Sequence, residues 1–232
     1  MLAAEIRQDV IANNLANATN PGFKGDKLVQ SAFGDMLLAN TQTGATLGPL
    51  SVGAQVTSIT PDLANGGLRF TQNPLDVAIA GTGWFTVSTA AGTVYTRNGA
   101  FTTNAAGDIT TAQGDAVLGV DGKPINVGGG GRIGIDTQGV VTVAGKAVGK
   151  LAITALDDAS VKKLGSNYYT GTAKTGVSLG KVAQGALEAA NVNTVTEMVS
   201  LIDNMRIFEA GQKSMRAIDD TLDKAVNQVG RI

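Results

Sequence analysis

Few side chains along this 232-residue chain can perform covalent or acid–base chemistry. It has no His and no Cys. Zinc sites of the Cys/His kind, haem held by those ligands, Ser-His-Asp triads and Cys nucleophiles therefore have nothing to be built from. Disulfides are equally excluded. Carboxylates remain, and they occur side by side at Asp157-Asp158 and Asp219-Asp220. Adjacent residues point to opposite faces of a strand and do not face each other on a helix. Neither doublet makes the facing pair that glycoside hydrolysis needs. The run Gly128-Gly-Gly-Gly131 lacks the Lys-Ser/Thr and the following helix of a phosphate loop, because Arg132 to Asp136 reads as strand. It reads as a turn. Lys146 and Lys150 read as solvated. The residues thus point to no catalysis, no cofactor and no metal.

One polar cluster is less ordinary. Ala12-Asn-Asn-Leu-Ala-Asn17 places three Asn in five positions, on a segment whose Leu2, Ile6, Val10 and Leu15 otherwise follow helical spacing. Asn is a mediocre helix former. Asn13, Asn14 and Asn17 either cap a fraying end or hydrogen-bond across helix interfaces and fix their register. Asn20-Pro21-Gly22 ends the helix, since the residue before Pro is pushed out of the helical region.

The other end of the chain supplies the strongest element. Thr194-Val-Thr-Glu197 has the form of a capping box. Met198, Leu201, Met205, Phe208, Gln212, Met215, Ile218, Leu222, Val226 and Val229 then alternate threes and fours, the seam of a coiled coil. Val195 to Val229 predicts a rod of about 52 Å at 1.5 Å per residue. The N-terminal helix is about half as long, so part of the seam is left for other copies of the chain.

Between the two ends the pattern changes. Gly44 to Gly185 holds 26 of the 31 Gly. Leu75 to Ala80, Trp84 to Val87, Val94 to Arg97, Ala100 to Thr103, Val140 to Val143 and Lys150 to Leu156 read as strands. Asn98-Gly99 and Asp121-Gly122 read as hairpin turns. No amphipathic helix separates these strands, so the sheet is expected to be antiparallel. The fold class is α+β: N- and C-terminal helices pairing as a coiled coil around an antiparallel β-rich middle. The expected domains are 1–35 and 191–232 for the helical body and 36–190 for the β-rich one.

Charge and hydropathy exclude further classes. The formal net charge of −1 leaves no electrostatic footprint for nucleic acid. The longest uncharged stretches, Met36 to Pro61 and Val77 to Thr96, are rich in Thr, Ser, Gly and Gln. They do not form the apolar run of about 20 residues that a spanning helix needs. Glu5, Arg7 and Asp9 interrupt the N-terminus, which lacks the apolar core of a cleaved signal peptide.

The string Asp9-Val-Ile-Ala-Asn-Asn-Leu-Ala-Asn17, with Thr19-Asn-Pro-Gly-Phe-Lys24, closely resembles the N-terminal signature of bacterial flagellar rod and hook proteins. Asn191-Val-Asn193, Glu197-Met-Val199 and Arg206-Ile-Phe-Glu209 resemble that family's C-terminal signature. Thr71 to Gly81 through Trp84-Phe85, and Tyr95-Thr-Arg-Asn-Gly-Ala-Phe101, resemble its central stretches. The compact length is similar to that of rod subunits. Family members carry a short helical stretch ahead of the position of Met1, so the resemblance implies one here.

The resemblance implies an inner helical domain and an outer β domain. It implies helical self-assembly into the basal-body rod, the shaft that carries motor torque to hook and filament. Partners would be other copies, neighbouring rod and hook proteins and the flagellar export apparatus, with export lacking a cleaved signal, no nucleic acid and no membrane insertion. The absence of Cys suits passage into an oxidising space. Asn13, Asn14, Leu15, Asn17, Met198, Leu201, Met205, Phe208, Gln212, Met215 and Leu222 are the expected assembly contacts. Two alternatives stay open at this point: another secreted or phage-tail-like structural protein, and a carboxylate-dependent carbohydrate-active enzyme.

Overall fold

The computed structural model describes residues 2–32, 36–39, 46–50, 54–128, 130–165, 167–177 and 179–229. Gly129 of the glycine run lies outside them, as do residues 33–35 at the expected domain boundary. The fold is α+β, with one helix near each end and a β-rich middle. Helix α1 spans Leu2–Asn17 and helix α2 spans Thr194–Val229.

The chain divides into two compact units. A helical unit gathers Met1–Leu15, Asp26–Thr60 and Asn193–Ile232; a β unit gathers Ala16–Gly25 and Pro61–Val192. This division differs from the boundaries read from composition. Residues 36–60, uncharged and Gly-bearing like the middle, group with the helices, while the turn after α1 groups with the β unit.

In the helical unit, Asp26–Ala32 pairs with Ala54–Pro61, and Met36–Ala39 with Thr46–Leu50. On α1 the buried face carries Val10, Ile11 and Asn14, with Ile6 and Leu15 half-buried and Leu2 exposed. The face is thus rotated from the one the apolar residues alone describe, and it takes in an Asn. Helix α2 is capped one residue earlier than its Thr-x-x-Glu pattern suggests. Asn193 Oδ1 accepts the amides of Val195 at 3.0 Å and Thr196 at 3.2 Å. This satisfies orphan donors of the first turn and leaves the Glu197 side chain for another partner.

The β unit holds the larger core. Its ladders are antiparallel. Gly92–Thr96 pairs with Trp84–Thr89, which also receives Ala116–Val117 and Ile153–Thr154. Val77–Ala80 pairs with Lys181–Gln184, and Leu68–Phe70 with Ala186–Glu188. Ile133–Ile135, Val140–Val143 and Lys146–Lys150 form a three-stranded sheet. Val77, Ile79, Phe85, Phe101, Ile109, Val117, Val141 and Leu151 pack into one cluster. Phe85 and Phe101 meet edge to face at 5.1 Å, the arrangement favoured by the ring quadrupoles. Trp84, Leu156, Val161 and Tyr169 form a second cluster.

Two turn expectations have different outcomes. Gly122, with φ of +73°, closes a turn by donating its amide to Gly119 O at 2.9 Å. Asn98-Gly99 is not a hairpin. Gly92–Thr96 folds back on Trp84–Thr89 instead, around Ala90-Ala91 and a left-handed Gly92. Gly99 serves close approach: a Cβ there would lie 1.6 Å from Val77 O. The expected strand from Lys150 to Leu156 is also broken: Lys150 ends the strand Lys146–Lys150, and Ile153–Thr154 is a separate short one.

Candidate assembly interface

Helix α1 lies antiparallel to α2 within the helical unit. Asn204 Nδ2 donates to Ala4 O at 2.8 Å, and Asn14 Nδ2 to Glu197 Oε1 at 3.4 Å. Asn14 also pairs with the backbone of Asp26, donating to its carbonyl at 3.0 Å and accepting its amide at 2.8 Å. One side chain thereby joins α1, α2 and the first strand. Asn17 is buried, and its Oδ1 accepts from Asn20 Nδ2 at 2.7 Å as the helix ends. Asn13 is exposed. The asparagine run therefore serves several ends, with Asn14 and Asn17 used within the chain.

On α2, Leu201, Phe208 and Gln212 are half-buried, and Asn204, which bonds to α1, is only 2 % exposed. Asn204 takes the seat that spacing alone gives to Met205. Met198, Met205, Met215 and Leu222 are about half exposed, as are Ile202 and Ile218. Val195, Val199 and Ile202 form an apolar row on the side of α2 away from Asn204, flanked by Met198 and Met205, since three, four or seven residues bring a helix back to one face. In the first half of α2, Asn204 is thus buried toward α1 while this apolar row stays exposed. The side chain of Val229 lies outside the described ones.

The β unit contains an ionic cluster that local patterns do not reveal. Lys24, Arg97 and Glu188 are 1 %, 4 % and 1 % exposed. Glu188 Oε1 accepts from Lys24 Nζ at 2.6 Å and from the Gly66 amide at 2.9 Å; its Oε2 accepts from Arg97 Nη1 at 3.0 Å. Lys24 Nζ also donates to Ala64 O, and Arg97 donates to Gly81 O at 2.7 Å while lying 5.3 Å from the centre of the Trp84 ring. Burial lowers the pKa of both cations, and the Glu188 charge opposes that shift. Lys24 and Arg97 stand in strings that carry the family resemblance, which was the available signal. Their common partner is far along the sequence.

The carboxylate doublets are exposed at Asp157-Asp158 and Asp219-Asp220, and Lys146 and Lys150 are exposed too. Among the described residues, no group of three or more Asp or Glu is arranged to hold a metal ion, and no helix is long and apolar enough to cross a membrane.

Three regions match known families: residues 1–24 match the flagella basal body rod protein family, 78–143 the D1 domain of the flagellar hook protein FlgE/F/G, and 183–229 the C-terminal region of flagellar basal body rod FlgEFG proteins. The flagellar basal-body rod protein FlgF of Caulobacter vibrioides is 33 % identical over 229 residues, covering 97 % of this chain and 92 % of the relative. FlgF of Escherichia coli is 32 % identical, covering 94 % and 90 %. FlgG of Agrobacterium fabrum, also a basal-body rod protein, is 32 % identical, covering 95 % and 92 %. With matches at both ends and the middle, and relatives aligned along nearly its whole length, this chain belongs to the flagellar basal-body rod protein family.

Proposed function

We propose that the protein is an axial structural subunit of the flagellar basal-body rod, packing with copies of itself and with neighbouring rod and hook proteins. Its role is structural and not enzymatic. The observation that carries this reading is the row of large apolar side chains exposed along α2, since contiguous exposed apolar patches mark interaction surfaces. The two helices pair as a coiled coil that helices of neighbouring subunits complete. Asn13, Leu15, Met198, Leu201, Met205, Phe208, Gln212, Met215 and Leu222 lie at its contacts, and Asn14 and Asn17 hold α1 in place. The helical ends form the inner domain and the β-rich middle the outer one. Subunits stack helically, transmit torque, and reach the site through the flagellar export apparatus.

Met205→Asp tests this. An unpaired charge in a closed interface costs several kcal/mol unless it takes up a proton, whereas an exposed site tolerates the change within about ±0.5 kcal/mol. The variant is expected to be soluble with its β unit folded, yet absent from isolated basal bodies and unable to restore motility to a null strain. Normal motility would show that α2 is not an assembly surface.

A further inference from the structure

Asn191 and Asn193 stand two residues apart, and the chain passes from the β unit to the helical unit between them. Asn193 caps α2. Asn191 has other partners, all in the β unit. Its Oδ1 accepts the Gly25 amide at 2.7 Å; its Nδ2 donates to the carbonyls of Asp62 at 2.7 Å and Ala64 at 3.1 Å. Backbone bonds close the same knot: Asp62 N donates to Gly25 O at 2.7 Å, and Asn191 N to Phe23 O at 3.3 Å. The chain enters or leaves the β unit before Ala16, after Gly25, before Pro61 and after Val192. Gly25, Asp62 and Asn191 each lie at or next to one of the last three crossings. A single side-chain amide thus joins three of the four.

We propose that Asn191 is a positioning residue that clasps these three crossings, so that force arriving through α2 is divided among three chain segments. Without the side-chain amide, a pull on Val192 meets the backbone bonds of Asn191 N to Phe23 O and Ala189 N to Gly67 O, and then the ladder of Ala186–Glu188 to Leu68–Phe70, which can open one bond after another. With it, the bonds of Gly25 and Asp62 are loaded together with that ladder. Resistance to forced opening is set by an unfolding rate, and bonds that must break together raise that barrier more than bonds that break in turn. An amide fits the task because it both accepts and donates. The proposal rests on the rod reading, since only a subunit of a rotating shaft meets such a load.

Asn191→Asp keeps the side-chain shape and the acceptor for Gly25. It removes both donors and sets a carboxylate against two carbonyls. Asn191→Ser, too short to span the three partners, is the second variant if the first does not fold. Each is expressed as the full chain in a null strain. The folded variant is expected in basal bodies at wild-type amounts, with swimming in dilute buffer close to wild type. In medium thickened with an inert polymer, its speed is expected to fall at least twofold more than that of wild type. A folded, incorporated variant with the wild-type dependence on load would overturn the proposal and leave the rod reading standing. Absence of the wild-type chain itself from basal bodies would overturn both.

Discussion

The β unit and the helical unit satisfy their side chains in different ways. In the β unit, apolar residues close into clusters, and even its buried charges find partners inside it: Glu188 serves Lys24 and Arg97. In the helical unit, α1 covers one side of α2 through Asn14 and Asn204, while Val195, Ile202 and Met205 stay exposed. The β unit buries two apolar clusters within a single chain, though Phe70 and Val120 stay exposed on it, whereas the helical unit exposes a row of apolar side chains along one helix. Burying the exposed apolar side chains of α2 on assembly would release hydrophobic free energy.

The largest effect that would break this comparison is expected at Glu188. Glu188→Ala leaves Lys24 and Arg97 buried without their counter-charge, and breaking a buried ion pair in this way costs about 3–5 kcal/mol. The chain's one Trp, Trp84, lies beside Arg97 and reports the transition by fluorescence in urea. The midpoint should fall markedly for Glu188→Ala and stay in place for Met205→Asp. Equal midpoints for Glu188→Ala and wild type would mean that the cluster contributes little and that the β unit is held by its apolar core alone.

Two lysines sharpen the division itself. Lys24 and Lys27 are three residues apart, on either side of the crossing after Gly25. Lys24 is buried, with its amide bonded to Tyr169 Oη at 3.1 Å; Lys27 is exposed. Cleavage at Lys24 requires the β unit to open, whereas cleavage at Lys27 needs only local opening of one ladder. Trypsin should cut after Lys27 faster than after Lys24 by at least on the order of tenfold, as mass spectrometry of timed digests would show. Similar rates would mean that the turn after α1 does not belong to the β unit.

Features set by local chemistry were legible in the sequence. Helical spacing marked both ends, and the change to Gly-punctuated alternation marked the antiparallel middle. Asp121-Gly122 is a turn because Gly there meets a local need for positive φ. Asn98-Gly99 misled because Gly99 answers a distant one, the approach of Val77. The seat of Met205 went to Asn204 for a similar reason: the Ala4 carbonyl across the interface selects an amide, which apolar spacing cannot register. Lys24, Arg97 and Glu188 stand in three separate segments, and only the tertiary fold makes them one site. The α2 surface was visible as an unfilled seam, but which side α1 covers depends on Asn14 and Asp26.

The smallest expected effect is a pH response confined to the β unit. Tyr168 Oη donates to Asp115 Oδ2 at 2.6 Å and shares a hydrogen bond with Thr111 Oγ1 at 3.0 Å. Partial burial, followed by the bond to Asp115, pushes its pKa up to about 12 from an ordinary 10.0. The folded chain therefore keeps a proton that the unfolded chain releases near 10. By linkage, this group's contribution to stability is complete below about pH 10 and is lost as pH rises from there toward 12. Tyr168 is partly exposed, so solvent screens the effect and the contribution is small. Absorbance titration of the folded chain should show one of its three Tyr ionising near 12, and Tyr168→Phe should remove that step while leaving stability at neutral pH within about ±0.5 kcal/mol. The helical unit contains no Tyr, so Met205→Asp should leave the titration unchanged. A Tyr168 step near 10 would show that Asp115 does not hold the phenol in solution, and that this edge of the β unit is more open than its core.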